Sequence, residues 1–273
     1  MFTEARLPSG LVLEYVDLGD PDGVPVVYQP GTPSTAGGGA LLDDAARRHG
    51  VRLVSVSRPG YGASTSTPPS LASVGRQVVE LADVLGWSTF GTFGSSGGGP
   101  YALATAAVAP ERVTRVVVAA GPGPSEEEPS SDELAAEVRE FADRLLPLGP
   151  AEFQAEMASN RPPNEHYFED HPDEAVTFFA DLRRALDPPD GFARDNLAWG
   201  GTWDVNLAAV TAPVYLLYGD ADQMVPVTHG HVLAALLPHA TFTVLPGAGH
   251  GDITFASTDS VLEQFRVGFE AGR

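Results

Sequence analysis

Three residues, far apart in the chain, have the types and surroundings that acyl-transfer chemistry needs: Ser96, Asp222 and His250. Ser96 is the centre of Gly94-Ser95-Ser96-Gly97-Gly98, the only G-x-S-x-G pentapeptide in the sequence. It lies between a strand-like stretch, Thr89–Phe93, and an alanine-rich stretch, Pro100–Ala109, with the makings of a helix. A serine on such a strand-to-helix turn has a strained backbone and an exposed hydroxyl, and the flanking glycines remove the clashes. That geometry suits attack on a carbonyl carbon. The pentapeptide alone is a weak signal in a glycine-rich chain; its flanks single it out.

A serine hydroxyl is a poor nucleophile near neutral pH, so it needs an imidazole base, and the imidazole needs an oriented carboxylate. Of seven histidines, His250 stands in Pro246-Gly247-Ala248-Gly249-His250-Gly251, directly after the strand-like run Ala240–Val244. That puts it at the carboxyl edge of a sheet, the rim expected for Ser96. The other six fall beside a helix end or turn (His49, His239), in the helix after Pro226 (His229, His231) or mid-chain (His166, His171). For the acid, Val214–Tyr218 runs into Gly219-Asp220-Ala221-Asp222-Gln223-Met224-Val225-Pro226. Asp220, beside the glycine, suits turn formation, whereas Asp222 lies further along, where a carboxylate can reach an imidazole. The order Ser96, Asp222, His250 matches one of three convergent orders known for serine enzymes. A tetrahedral intermediate also needs backbone donors for its oxyanion. The amide of Gly97 is one candidate. The turn Gln29-Pro30-Gly31-Thr32-Pro33-Ser34 offers the Thr32 amide as the second, although an ordinary surface turn explains that segment equally well.

Composition narrows the context. The chain has 273 residues, enough for one large α/β domain with an inserted subdomain. Sixteen basic against 36 acidic residues give a net charge of −20, which argues against nucleic acid and anionic membranes as partners. With no cysteine, disulfides, thiolate metal sites and cysteine nucleophiles are excluded. Met1–Arg6 has no basic segment leading into an apolar run, and no run is long enough to span a bilayer, so a cytoplasmic protein is expected. Nothing calls for a metal or a cofactor; the expected partner is a small-molecule substrate. Oligomeric state leaves no trace in the sequence.

Seven strand-like runs must position these groups: Leu11–Asp17, Val24–Tyr28, Arg52–Ser57, Thr89–Phe93, Val113–Ala119, Val214–Tyr218 and Ala240–Val244. Several are continuously apolar, as strands buried on both faces of a parallel sheet are. Helix-length segments lie between most of them: Ala40–His49, Val74–Leu85, Tyr101–Val108 and Thr228–Leu237, with a closing helix near Asp259–Phe269. The alternation implies a mostly parallel, doubly wound α/β sheet, and the first two strands, lacking a helix between them, suggest an antiparallel start. The pattern breaks between Gly121 and Trp203. Helical segments are expected near Asp132–Leu146, Ala151–Ser159, Glu174–Leu186 and Phe192–Ala198, with joints at Arg161-Pro162-Pro163 and Asp187-Pro188-Pro189. The division is then a core of 1–121 and 203–273 and a helical cap of 122–202. Placed over the carboxyl edge, the cap would be a lid, since ligands of open α/β sheets bind there. Glu126–Glu128 reads as a solvated loop.

Taken together, these landmarks resemble the α/β-hydrolase fold superfamily, in the branch with a helical cap after strand six. The resemblance rests on the Ser96 elbow, Gly31-Thr32-Pro33-Ser34, Gly219-x-x-Asp222-x-x-Val225-Pro226 and Gly247-Ala248-Gly249-His250. The segment Arg58-Pro59-Gly60-Tyr61-Gly62-Ala63-Ser64 is similar to the family's glycine-rich loop after strand four. The resemblance implies a cofactor-independent serine hydrolase acting on an ester, thioester or lactone. Ser96 would be nucleophile, His250 base, Asp222 its orienting acid, and Gly97 and Thr32 the oxyanion donors. It leaves as alternatives an aminopeptidase of the proline iminopeptidase type, carbon–carbon bond hydrolysis, acyl transfer or cyclisation, and a non-catalytic ligand-binding protein. A serine nucleophile disfavours the family's epoxide hydrolases and haloalkane dehalogenases. Two departures stand out: Pro30 precedes Gly31 where the family has histidine, and Ser57-Arg58 follows strand four where an aspartate is common.

Overall fold

The computed structural model describes residues 1–162 and 165–270. Eight strands, β1 (Thr3–Arg6), β2 (Val12–Gly19), β3 (Val24–Gln29), β4 (Val51–Ser57), β5 (Phe90–Ser95), β6 (Val113–Ala119), β7 (Val214–Gly219) and β8 (Ala240–Leu245), form one sheet in the order β1-β2-β4-β3-β5-β6-β7-β8. From β4 to β8 every pairing is parallel; β2 is antiparallel to both β1 and β4. The antiparallel start is therefore real, but β2 and β3 are not neighbours, because β4 lies between them.

The continuously apolar runs are explained by the two layers of packing. Along β6, Val116 and Val118 face one hydrophobic cluster while Val117 and Ala119 face the other. The first cluster is covered by α2 (Leu71–Val84) and α3 (Gly99–Val108), the second by α1 (Asp43–Arg48) and α10 (Thr258–Glu270). A strand with water on neither face has no polar positions to alternate. Ser70 starts α2 by accepting the Ser73 N–H at 2.9 Å, satisfying a donor that has no partner within the helix.

Between β6 and β7 come five α-helices, α4 (Ser131–Leu145), α5 (Pro150–Ser159), α6 (Tyr167–Asp170), α7 (Pro172–Ala185) and α8 (Asp190–Trp199), with no strand among the described residues. They hold a small core of their own around Ala142, Leu145, Phe153, Leu182 and Leu186. Of the proline joints, Pro163 lies outside the described residues. Acid-centred contacts fasten this segment to the core, three of them around β2, β3 and β4 and the loops that follow. Arg184 pairs with buried Glu14 at 2.7 Å, Asp181 accepts from Ser34 at 2.6 Å and from Thr35, and Asp195 meets Arg58. Glu14 also accepts from Ser57 Oγ at 2.6 Å, so a carboxylate from β2 occupies the surroundings of the position after β4. Burial opposes its charge, yet Arg184 and the hydrogen bonds hold its pKa below the ordinary value. Glu126–Glu128 is exposed as expected, with Glu128 accepting the Thr202 N–H at 2.8 Å. After β7 comes α9 (Thr228–Leu236). No helix among the described residues is long and apolar enough to cross a membrane.

Candidate active site

Ser96 follows β5 directly and has φ of +50°, a left-handed conformation that a non-glycine residue adopts only under constraint. The constraint is close backbone packing. A Cβ on Gly94 would collide with the Gly98 carbonyl, and one on Gly98 with the Gln29 carbonyl. Larger residues at either position would force the turn open. Ser96 is half-buried, whereas its neighbour Ser95 is tied down by Tyr28, whose hydroxyl lies 2.6 Å from Ser95 Oγ.

His250 Nδ1 lies 2.8 Å from Asp222 Oδ2, and both residues are buried. The second oxygen, Asp222 Oδ1, accepts the N–H groups of Met224 and Val225 at 2.8 Å each. A carboxylate acting only as acceptor leaves the proton on Nδ1 and the lone pair of neutral imidazole on Nε2. Asp220 has a different task, its Oδ1 accepting the Gly247 N–H at 2.6 Å and bracing the turn after β8. The structure thus brings Asp222 and His250 together and separates the work of the two aspartates. Among the described residues no hydrogen bond joins Ser96 to His250.

The loop after β3 packs onto the elbow. A Cβ on Gly31 would lie 3.4 Å from Ser96 Cβ and 3.9 Å from its hydroxyl, and one on Gly97 would strike the Thr32 side chain. Thr32 and Gly97 therefore meet beside Ser96. Trp199 Nε1 is 3.3 Å from that same Gly97 Cβ position, buried and with no hydrogen-bond partner among the described residues.

Arg58 contacts this loop at three consecutive residues. Its Nη1 donates to the Pro30 carbonyl at 2.5 Å, and its Nη2 to the Gly31 carbonyl at 2.9 Å and Thr32 Oγ1 at 3.1 Å. Asp195 of α8 takes Arg58 Nη2 at 2.6 Å and Nε at 3.0 Å, and also accepts from Thr32 Oγ1, Tyr61 and Tyr101. Burial weakens the Arg58 charge, but Asp195 outweighs it and holds the guanidinium pKa above its usual value. Burial, reinforced by Asp195, raises both tyrosines well above theirs.

A cavity of about 720 Å³ opens between the helical segment and the histidine loop. Its walls are mainly apolar, with Met157, Phe168, Phe178, Phe179 and Phe255 among them, and it reaches His250 and Gly251 but not Ser96. Its two acids are engaged: Glu165 on the backbone of the histidine loop and Glu169 on Arg161. Among the described residues no cluster of three His, Cys, Asp or Glu side chains is arranged to hold a metal ion.

Sequence reasoning singled out Ser96, Gly97, Thr32, Asp222 and His250 but missed Asp195, Glu165 and Tyr101, and met Arg58 only as an unexplained departure. Arg58, in a glycine-rich loop beside the nucleophile, carried a signal. An aspartate inside an amphipathic helix carries none.

Comparison with known proteins bears on the fold that carries this site. Residues 24–256 match the family model for the alpha/beta hydrolase fold. The pimeloyl-[acyl-carrier protein] methyl ester esterase of Aliivibrio salmonicida is 26% identical over 239 residues, which cover 83% of this chain and 84% of that one. Among solved structures, a thermophilic esterase from Thermogutta terrifontis superposes with a TM-score of 0.74 at 22% identity, covering 98% of this chain and 99% of that one. The enol-lactonase of Burkholderia xenovorans gives 0.75 at 19% identity, covering 98% and 100%.

Proposed function

The chain belongs to the α/β-hydrolase fold family, and from that premise we propose that it is a serine esterase working through an acyl-enzyme on Ser96. The observation that carries this reading is the 2.8 Å contact of His250 Nδ1 with an Asp222 carboxylate whose other oxygen is held by two backbone amides. It leaves Nε2 as the free basic nitrogen of a buried, oriented imidazole.

In the proposed reaction the Ser96 hydroxyl adds to the ester carbonyl as its proton passes to His250 Nε2. The amides of Gly97 and Thr32 hold the resulting oxyanion. Asp222 stabilises the imidazolium without taking its proton. Collapse expels the alcohol, which leaves with the proton from Nε2, and water repeats the sequence to release the acid and restore Ser96. The reaction requires the Ser96 hydroxyl and His250 Nε2 to come within hydrogen-bond reach in the substrate complex, since catalytic pairs are often looser without substrate.

We assign the helical segment, residues 122–202, the role of lid, and the apolar cavity beneath it the bulk of the substrate. The walls favour a carboxylic ester with a large apolar group, an open-chain ester or a lactone alike. An amino-terminal peptide substrate is not supported, since Glu165 and Glu169 are already committed to other partners. The curated relative and two superposable structures carry esterase or lactonase names, in line with the same bond type.

The test is labelling by a fluorophosphonate followed by peptide mass analysis, together with hydrolysis of a p-nitrophenyl ester series. Wild-type protein should gain one adduct on Ser96 and turn over esters, and Ser96→Ala should do neither. An unlabelled wild type that binds esters without cleaving them would make it a receptor on this fold.

A further inference from the structure

We propose that Arg58 is the positioning residue of the oxyanion loop, clamped in place by Asp195 so that the loop is correctly set only when α8 is seated. The inference rests on the esterase reading above and extends it to the loop after β3, where Pro30 stands in place of the family's histidine.

One peptide plane links Arg58 to the oxyanion donor. The Gly31 carbonyl and the Thr32 N–H belong to the same planar unit, which is trans and so points them in opposite directions. Fixing the oxygen therefore aims the hydrogen. Arg58 Nη2 holds the Gly31 oxygen at 2.9 Å, Nη1 holds the preceding Pro30 oxygen at 2.5 Å, and Nη2 also reaches Thr32 Oγ1 at 3.1 Å. One guanidinium thus takes three consecutive loop residues. A proline contributes no N–H of its own to stiffen this turn.

The clamp works only if Arg58 itself cannot move. It is 1% exposed, and its only carboxylate partner among the described residues is Asp195, 2% exposed, 137 residues away on α8. Asp195 accepts from Arg58 through two nitrogens, from Thr32 Oγ1 at 2.7 Å, and from Tyr61 and Tyr101 at 2.9 Å each. The four donor residues come from three pieces of the site: Thr32 from the loop after β3, Arg58 and Tyr61 from the loop after β4, and Tyr101 from α3 behind the elbow. A planar fork with five donors can satisfy this pattern, and the single ammonium of lysine cannot. Lifting α8 would remove the carboxylate and leave a buried cation unpaired, so the loop and the helical segment are set together.

The experiment compares Arg58→Lys and the isosteric Asp195→Asn with wild type, using kcat and KM on a p-nitrophenyl ester. It adds the inhibition constant of an alkyl trifluoromethyl ketone, which forms a tetrahedral adduct on serine. Arg112→Gln, which breaks an ion pair with Asp83 at the amino end of β6, far from the loop, calibrates the effect of destabilisation alone. For Arg58→Lys, kcat should fall by about 100-fold or more, the scale of losing an oxyanion donor. KM should change by less than about threefold, and affinity for the ketone should drop in parallel with kcat. Asp195→Asn should move both quantities in the same direction, and it carries the test alone if Arg58→Lys fails to fold. Folded variants with a lowered Tm but with kcat and ketone affinity like those of Arg112→Gln would reduce Arg58 to a structural residue and overturn the inference. Failure of the esterase reading looks different: wild-type Ser96 would not react with the ketone or the fluorophosphonate at all.

Discussion

The backbone amide of His250 donates to Glu165 Oε1 at 2.5 Å, and the next amide, that of Gly251, donates to Oε2 at 2.9 Å. A single carboxylate from the helical segment closes the first turn of the helix that starts at His250, whose leading N–H groups have no partner inside it. Negative charge at that end also complements the helix dipole. The side chain of His250 answers to Asp222 and its backbone to Glu165, so the imidazole is fixed from both sides. Glu165→Gln keeps one acceptor but presents an NH2 to the other amide. It should cost about 1 kcal/mol of stability, in the range of losing a cap, and lower kcat several-fold with little change in KM. Thermal melts and steady-state kinetics would check this; an unchanged Tm and kcat would mean the histidine loop holds itself.

The two neighbouring aspartates should separate cleanly. Asp222→Asn removes the charge beside His250 Nδ1 and permits the wrong tautomer, so kcat should fall by on the order of 10³–10⁴ with the fold intact. Asp220→Asn affects only the Gly247 amide at an exposed turn. Its effect should stay within about 1 kcal/mol of stability with kcat near wild type. Equal rates for Asp222→Asn and wild type on an activated ester would remove Asp222 from the mechanism.

That division was legible in the sequence because turn chemistry is local: an aspartate beside a glycine reads as a turn residue, and one two positions on as a free carboxylate. The central strands were legible for a similar reason, since burial on both faces leaves an uninterrupted apolar run. Strand β1 was missed because only Ala5 of its four residues is buried, so there is no run to see; it forms by pairing with β2. Four-residue α6 is too short to show a helical period. The Arg58–Asp195 pair was out of reach for a deeper reason. A contact across 137 residues leaves no local pattern, and buried ion pairs are made by the fold, not by propensity.

A histidine near the entry to the helical segment should make stability fall below neutral pH. His229 Nδ1 accepts the Gly123 N–H at 3.1 Å, which requires the neutral ring. Burial lowers its pKa, and the Asp222 charge only partly opposes this. Above its unfolded value of 6.5 both states are neutral at this residue and its contribution is constant. As pH falls through that value toward the lower folded pKa, the unfolded chain takes up the proton first, so stability declines. His229→Asn, with an acceptor oxygen where Nδ1 stood, should flatten the decline between pH 6.5 and 5 in urea titrations. Parallel curves for the two proteins would assign the slope to other groups.

The wall of the apolar cavity should set the preferred size of the substrate. Phe178 stacks on Phe168 with ring centroids 4.3 Å apart and meets Phe255 edge-on at 5.6 Å, and all three line the space beside His250. Phe178→Ala opens room that an alkyl chain can fill. Each further methylene buried there contributes about 0.8 kcal/mol, roughly a fourfold gain in kcat/KM per carbon until the new space is full. The optimum across p-nitrophenyl acetate to decanoate should therefore shift toward longer chains, with the shorter esters losing rate as their contacts thin out. Gain on one side and loss on the other is the signature of a binding wall, because a general loosening would scale every ester alike. A profile that keeps its shape and changes only in height would place the substrate's apolar group outside this cavity.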